Sequence, residues 1–228
     1  GFLRDVLLLH LRGERESELV ARFQQLSGAV MAKGVEDTAF YSYFRLASLN
    51  EVGGDPGRFG VSLADFHAEN ARTQALWPST MLATATHDHK RGEDTRLRIS
   101  TLSEVPHRWR AAVVGWSEHN RPKRSGRLVD RNTEYLIYQT LVGTWPIEAE
   151  RLWPYVEKAI REAKAHTSWT APDERYERAV RRFVERLLGD AEFVGSLEAF
   201  IAPLLRPARL SSLSQTLLKL TSPGAPDI

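Results

Sequence analysis

The chain has 228 residues, a formal net charge of +2, 42% hydrophobic residues and no cysteine. This length suits one large domain or two small ones. The absence of cysteine excludes a disulfide scaffold and a thiol nucleophile, and it favours a reducing compartment, so we expect a cytoplasmic location. Because basic and acidic residues alternate along the predicted helices, we expect solvated faces and no nucleic-acid partner.

The two ends of the chain also carry information. The apolar run at residues 6–9 is far too short to cross a membrane, so we expect no membrane partner. The chain begins on Gly1, and residues 222–228 read as a turn that leads into a strand. We therefore expect the chain to be a piece of a longer protein.

The first part of the chain is predicted to be helical with two interruptions. Apolar residues at helical spacing predict helices within residues 4–26, with a restart near Ser17. A glycine turn is expected near Gly28. Asp37 is then placed to cap a short helix that runs to about Ser48.

A loop and a further helix precede the central stretch. Glycine, aspartate and proline at residues 53–57 predict a loop. Ser62 is expected to cap a helix that ends at Trp77-Pro78. The next residues, 80–86, are apolar or small and rich in threonine, which favours a strand.

Charged residues follow this strand at once, since residues 87–94 read His-Asp-His-Lys-Arg-Gly-Glu-Asp. Barrel and open α/β enzymes place their chemistry at the carboxyl ends of buried parallel strands. Asp88 is therefore a candidate for stabilising positive charge on a substrate, and His87 for a hydrogen bond to a sugar hydroxyl or phosphate. A structural ion cluster at a helix start is the alternative interpretation.

After the charged segment the chain is predicted to be almost entirely helical. Trp109 and Trp116 lie two turns apart and are expected in a core. Residues 119–131 predict a polar loop. The fold expected for this segment is mainly α with one or two β-strands. The predicted helices cover about residues 94–99, 106–116, 133–141, 147–165, 173–188, 193–205 and 210–220.

A second group of candidates precedes the glycine-rich loop. If residues 35–45 are helical, Asp37 shares a face with both Tyr41 and Lys33. A charged and aromatic face of this kind binds polyhydroxylated ligands through hydrogen bonds and ring stacking. An exposed helix start explains the same residues, and the adjacent pair Asn50 and Glu51 is equally ambiguous.

The two groups together resemble the maltooligosyl trehalose synthase family of the α-amylase glycoside hydrolase superfamily. The residues that carry the resemblance are 31–41, 48–56, 86–94 and 223–228. The resemblance extends over essentially the whole chain and is weaker after Pro106. Two positions depart from the family, which usually has Thr in place of His89 and Arg in place of Ser42.

The resemblance implies a parent (β/α)8 TIM barrel with a helical insertion between strands 7 and 8. Residues 1–100 would be part of the catalytic barrel with strand 7 and the site loop. Residues 101–221 would be the insertion, and residues 222–228 would start strand 8. The implied activity, an isomerase reaction of trehalose biosynthesis, converts the reducing-end α-1,4 linkage of a maltooligosaccharide into an α,α-1,1 linkage without a cofactor.

The resemblance also implies residue roles. Asp88 would stabilise the oxocarbenium-like transition state, and His87 would contact a sugar hydroxyl. The further candidates for substrate binding are Lys33, Glu36, Tyr41, Lys90 and Asp94. No metal ligand is expected. The family's nucleophilic Asp and acid/base Glu belong to an upstream barrel segment, so we expect this chain alone to be inactive.

Two other classes of function stay open. His87, Asp88, His89, His67 and Asp130 loosely match the all-helical HD-type metal phosphohydrolases, although that pattern needs the His-Asp pair on a helix. Alternatively, the helices form a non-catalytic interaction or lid module. Exposed strand edges would also permit pairing with a second copy of the chain.

Overall fold

The computed structural model describes residues 1–126 and 128–227 and shows a mainly helical chain with one pair of short strands. The predicted fold class of the segment is confirmed. Two residues of predicted elements lie outside the described residues: Arg127 of the polar loop and Ile228 of the last strand. Within the described residues, no helix combines the length and apolar character needed to cross a bilayer.

The elements follow one another in the order expected, with short connections. The α-helices are α1 Phe2–Leu7, α2 Glu14–Val30, α3 Phe40–Ser42, α4 Leu63–Leu76, α5 Glu93–Ser100, α6 Pro106–His119, α7 Arg131–Thr144, α8 Ala149–Ala163, α9 Glu174–Leu188, α10 Ala191–Ile201 and α11 Leu205–Thr221. The strands are β1 Met81–Leu82 and β2 Ala225–Pro226. A π-helix covers Met31–Ala39, and 3-10 turns cover Ala47–Leu49, Thr101–Glu104, Arg121–Arg124 and Ala202–Leu204.

The strands β1 and β2 pair in parallel, with Met81 opposite Ala225. The backbone N–H of Ala225 donates to the carbonyl of Thr80 at 2.8 Å. Gly224 enters this pair at a φ of +138°, and a Cβ there would lie 2.7 Å from the Thr80 carbonyl, so the close approach requires glycine. The first strand is shorter than the predicted 80–86, because Arg96 binds the carbonyl of Thr84 and turns the chain away from the ladder.

The first part of the chain corrects three predictions. Helix α2 begins at Glu14, before Ser17, and it continues through Gly28, where we expected a turn. An isolated glycine costs a helix only about 1 kcal/mol relative to alanine, which the longer amphipathic helix tolerates. Asp37 lies inside the π-helix and caps nothing, and the helix ends at Ser42 because Tyr43 is extended.

Helix termini further along agree with the predicted caps. The Ser62 hydroxyl accepts a hydrogen bond from the backbone N–H of Asp65 at the start of α4. Asp173 accepts from two backbone N–H groups at the start of α9, which ends at Gly189. These caps satisfy backbone donors that the first helical turn leaves free.

The helical core is built around two tryptophans, as the sequence predicts. Trp109 and Trp116 are buried, and their rings meet edge to face at 5.9 Å. Trp116 also contacts Phe193 of α10 at 5.7 Å and Phe200 at 5.5 Å. This aromatic cluster joins α6, α7 and α10 into one packed unit.

Helix α5 connects that unit to the charged segment after β1. Both α7 and α11 pack against α5. A Cβ on Gly143 of α7 would lie 2.9 Å from Ile99 Cγ1 and 2.9 Å from Thr95 Cγ2, so the two helices approach closely only at a glycine. The start of α5 is therefore held rigidly, and with it the loop that precedes it.

Candidate functional site

His87 and Asp88 lie in a turn directly after β1, at the carboxyl end of that strand. Their side chains are 90% and 71% exposed, with 3.3 Å between His87 Nε2 and an Asp88 carboxylate oxygen. The turn is closed by His89, whose Nδ1 accepts from the backbone N–H of Thr86 at 2.9 Å. Because Nδ1 accepts, the neutral ring carries its proton on Nε2. The unusual His89 thus supports the turn that presents Asp88.

A buried ion pair anchors this turn from below. The backbone N–H of Lys90 donates to Glu51 Oε2 at 2.7 Å. Glu51 Oε1 lies 3.5 Å from an Arg91 guanidinium nitrogen, and the two side chains are only 6% and 3% exposed. Arg91 also donates to the Ala47 carbonyl at 3.1 Å and to the Tyr155 hydroxyl at 2.6 Å. Charged hydrogen bonds therefore tie the end of the turn to α8 and to the 3-10 turn at Ala47–Leu49.

Asp37 lies between two lysines. The Lys33 ammonium is 2.6 Å from one of its carboxylate oxygens, as their shared helix face predicts, and the Lys90 ammonium is 3.8 Å from the other. Burial alone would raise the pKa of Asp37, but the hydrogen bond and charge of Lys33, helped by Lys90, hold that pKa below its usual value. Asp37 therefore stays ionised.

Two of the predicted binding residues are interior. The Lys90 side chain is 3% exposed, and its ammonium lies 5.3 Å from the centre of the Tyr41 ring and 5.9 Å from that of Phe40. Tyr41 is itself 3% exposed, and burial raises the pKa of its hydroxyl. The structure thus brings Lys33, Asp37, Tyr41 and Lys90 together beneath the turn that carries Asp88.

The remaining two candidates contact other parts of the chain. Glu36 accepts from the backbone N–H of Gly53 at 3.2 Å, which ties the π-helix to the glycine-rich loop. Asp94 lies at the start of α5 and accepts from the Ser212 hydroxyl of α11. Glu36 therefore borders the Lys33 cluster, whereas Asp94 faces α11.

Sequence reasoning undervalued three residues of this site. Glu51 was ambiguous, and Arg91 was assigned to a structural cluster without a partner. A pair of charges beside a glycine-rich loop is the signal that singles out Glu51. Tyr155 carries no local signal, because its contact with Arg91 depends on how α8 docks 64 residues away.

The metal phosphohydrolase interpretation finds little support in this geometry. His87 and Asp88 lie in a turn rather than on a helix. Asp130 caps α7 by accepting from the backbone N–H groups of Asn132 and Thr133. Over residues 1–126 and 128–227, no group of three or more histidines and carboxylates is placed to hold a metal ion.

The chain was compared with known proteins. No protein-family model matches it. A putative maltooligosyl trehalose synthase of Mycobacterium tuberculosis is 43% identical over 221 residues, which cover 94% of this chain and 28% of that protein. The structure of maltooligosyltrehalose synthase from Arthrobacter ramosus superposes with a TM-score of 0.83 at 42% identity, over 91% of this chain and 27% of that one.

A third match comes from an archaeon. The hypothetical maltooligosyl trehalose synthase of Sulfolobus tokodaii superposes with a TM-score of 0.84 at 34% identity, over 99% of this chain and 32% of that one. The proteins that share this fold and site are thus synthases that act on carbohydrates. More narrowly, the chain matches a segment of maltooligosyl trehalose synthases, and the resemblance drawn from the sequence is confirmed. It spans about 28% of the length of the curated relatives.

Proposed function

We propose that this chain is the part of an intramolecular transglycosylase that supplies its transition-state-stabilising carboxylate. The parent protein converts the reducing-end α-1,4 linkage of a maltooligosaccharide into an α,α-1,1 linkage and so forms a terminal trehalose unit. The observation that carries the proposal is 43% identity to a putative maltooligosyl trehalose synthase across 94% of the chain. The exposed turn at the end of a parallel strand adds a place for the chemistry.

Asp88 stabilises the cationic sugar in this proposal. Its carboxylate is 71% exposed in the described chain, so a substrate can approach it directly. The adjoining His87 donates to a sugar hydroxyl. A preorganised charge at the reacting carbon lowers the barrier most when its surroundings hold it still, which the Glu51–Arg91 pair does through Lys90.

The other candidates divide by exposure. Lys33 is 76% exposed and is proposed to bind substrate hydroxyls while it keeps Asp37 charged. Tyr41 and Lys90 are buried, so they act by positioning the π-helix and the turn. Glu36 and Asp94 hold the glycine-rich loop and α11 in place around the site.

Asp88 needs partners for a retaining reaction. A double displacement uses two carboxyl groups about 5–5.5 Å apart, one as nucleophile and one as acid and base. We propose that both come from an upstream barrel segment. Strands β1 and β2 are then strands 7 and 8 of a (β/α)8 barrel, and residues 101–221 are the insertion between them. The reaction needs no cofactor.

The helical region also shapes the site. Lys219 of α11 donates to Thr84 Oγ1 at 3.2 Å and lies 3.4 Å from a Glu93 carboxylate oxygen, just beyond the end of β1. A lid role for these helices is thus compatible with the enzyme. A cytoplasmic location and pairing of free strand edges with a second copy stay predictions.

The experiment is an assay of the full-length protein and of the isolated 228 residues with maltohexaose. Loss of reducing ends without release of glucose, together with a new α,α-1,1 linkage in the NMR spectrum, is expected for the full-length protein. The isolated chain should give no product. Full-length protein that leaves maltohexaose unchanged would contradict the proposed function.

A further inference from the structure

An open groove adjoins the candidate site on the side of helix α8. It has a volume of about 560 Å³ and is lined by Lys33, Glu162, Lys164, His166, Ser168 and Trp169, among others. Lys33 belongs both to this groove and to the cluster around Asp37. A volume of this size is typical of small-molecule sites, which combine an apolar or aromatic wall with a few polar groups.

Trp169 is an exposed aromatic residue that is held in place by two contacts. Its side chain is 54% exposed. The indole N–H donates to Glu162 Oε1 at 2.9 Å, and the Arg161 guanidinium carbon lies 4.8 Å from the ring centre. Because the N–H and one face of the ring are occupied, the opposite face is the part offered to the groove. A ring fixed before binding loses little conformational freedom when a ligand stacks on it.

The loop that carries Trp169 is also anchored. Arg161 forms a two-pronged ion pair with Glu177 at 2.8 and 2.7 Å, and Thr167 donates to the same carboxylate at 2.6 Å. The Thr167 hydroxyl in turn accepts from the backbone N–H of Asp173 at 2.9 Å. The guanidinium that covers the indole is therefore part of a buried network, and the indole orientation follows from it.

Electrostatics connect the groove to the turn that carries Asp88. The hydrogen bond to Asp37 raises the pKa of Lys33 most, and the charges of Glu162 and Asp88 raise it further. Lys33 thus lies within electrostatic range of Glu162 in the groove and of Asp88 in the turn. On the same side, Lys164 donates to Thr38 Oγ1 of the π-helix at 2.8 Å.

We propose that Trp169 is a stacking platform for a glucosyl unit of the maltooligosaccharide that lies away from the reacting bond. The inference rests on the proposed function and names a subsite of it. The free indole face packs against the C–H groups of a pyranose ring. Glu162, Lys33 and Ser168 supply acceptors and donors for its hydroxyl groups. Trp169 therefore contributes to binding of longer substrates and leaves the chemical step unchanged.

The kinetic test uses the full-length protein with Trp169→Ala and the conservative variant Trp169→Phe. For maltoheptaose, KM should rise about 3- to 10-fold in Trp169→Ala, which corresponds to the worth of one aromatic contact. The kcat and the KM for maltotriose should be unchanged, and Trp169→Phe should restore most of the loss. An unchanged KM for maltoheptaose in an active enzyme would overturn the inference and leave the proposed function standing.

A binding test works even if the full-length protein shows no activity. The intact protein is labelled with 5-fluorotryptophan, and the Trp169 signal is assigned by its loss in Trp169→Phe. Maltoheptaose should shift that signal, whereas the signal of Trp77, which is 68% exposed and precedes β1, should not move. A Trp169 signal that stays constant up to millimolar maltoheptaose would contradict the inference.

Discussion

Glu51 holds the backbone of Lys90 across 39 residues of sequence, with 2.7 Å between the Lys90 nitrogen and Glu51 Oε2. The other oxygen of the same carboxylate faces Arg91 at 3.5 Å. One buried acid thus fixes the end of the turn that presents Asp88. The charge of Glu51 is compensated mainly by a single guanidinium, and this dependence leads to the first prediction.

Glu51→Gln should destabilise the chain by about 3–5 kcal/mol, because it leaves the buried Arg91 charge without its partner. Urea unfolding of the 228-residue chain measures the change. Glu69→Gln is the matched control: Glu69 pairs with Arg72 at 2.6 Å, but both side chains are about 60% exposed. That control should cost less than about 1 kcal/mol. Equal effects of the two substitutions would contradict the anchoring role of Glu51.

Glu177 predicts a dependence of stability on pH. Its hydrogen bond to Arg161 is the largest cause that lowers its pKa from the ordinary 4.5, and Thr167 adds to it. A carboxyl group with a lowered folded pKa stabilises the protein above its unfolded pKa, and this contribution is lost as the pH falls through the folded value. Glu177→Gln should therefore cost about 1.5–3 kcal/mol at pH 7.

The difference between wild type and Glu177→Gln should narrow steadily below about pH 4.5. Urea unfolding at a series of pH values from 7 to 3 follows it. The exposed Glu174, which pairs with Arg178 on the same helix, provides the control Glu174→Gln, with little effect at any pH. A gap of constant size across the series would show that the charge of Glu177 contributes nothing.

The contact between α5 and α7 predicts a packing effect. Gly143→Ala places a methyl group 2.9 Å from Ile99 and Thr95, so it should destabilise the chain by about 1–3 kcal/mol. Gly115→Ala is the control, since it lies in α6 with nothing within 4 Å of the added carbon. It should stabilise the chain by about 0.5–1 kcal/mol, the usual gain of alanine over glycine in a helix. Thermal unfolding of both variants checks the opposite signs, and destabilisation by both would refute the close-approach argument.

The sequence predicted local features well. The cap at Ser62, the cap at Asp173 and the stop at Gly189 are all observed, because each depends on a few adjacent residues. The parallel pairing of the two short strands and the burial of Trp109 and Trp116 also agree with expectation. Helical spacing and backbone capping act within one or two turns, so a single sequence displays them.

Features that depend on distant packing were not predicted. The turn expected at Gly28 is absent, because α2 and the π-helix form one continuous element whose other contacts outweigh a glycine. The burial of Lys90 under Asp37 depends on the meeting of residues 53 positions apart. The contact between Tyr155 and Arg91 depends on the docking of α8. Candidate charges were therefore found by type, while their roles as anchors required the fold.

The most direct test of the account is the turnover of Asp88→Asn in the full-length protein. Asn keeps the size of the side chain and removes its charge, so folding should be unchanged while kcat for maltohexaose falls about 10²- to 10³-fold. Glu185→Gln, which removes an exposed charge on α9, should keep full activity and serves as the control. A correctly folded Asp88→Asn variant with kcat within a factor of about two of wild type would contradict the central claim.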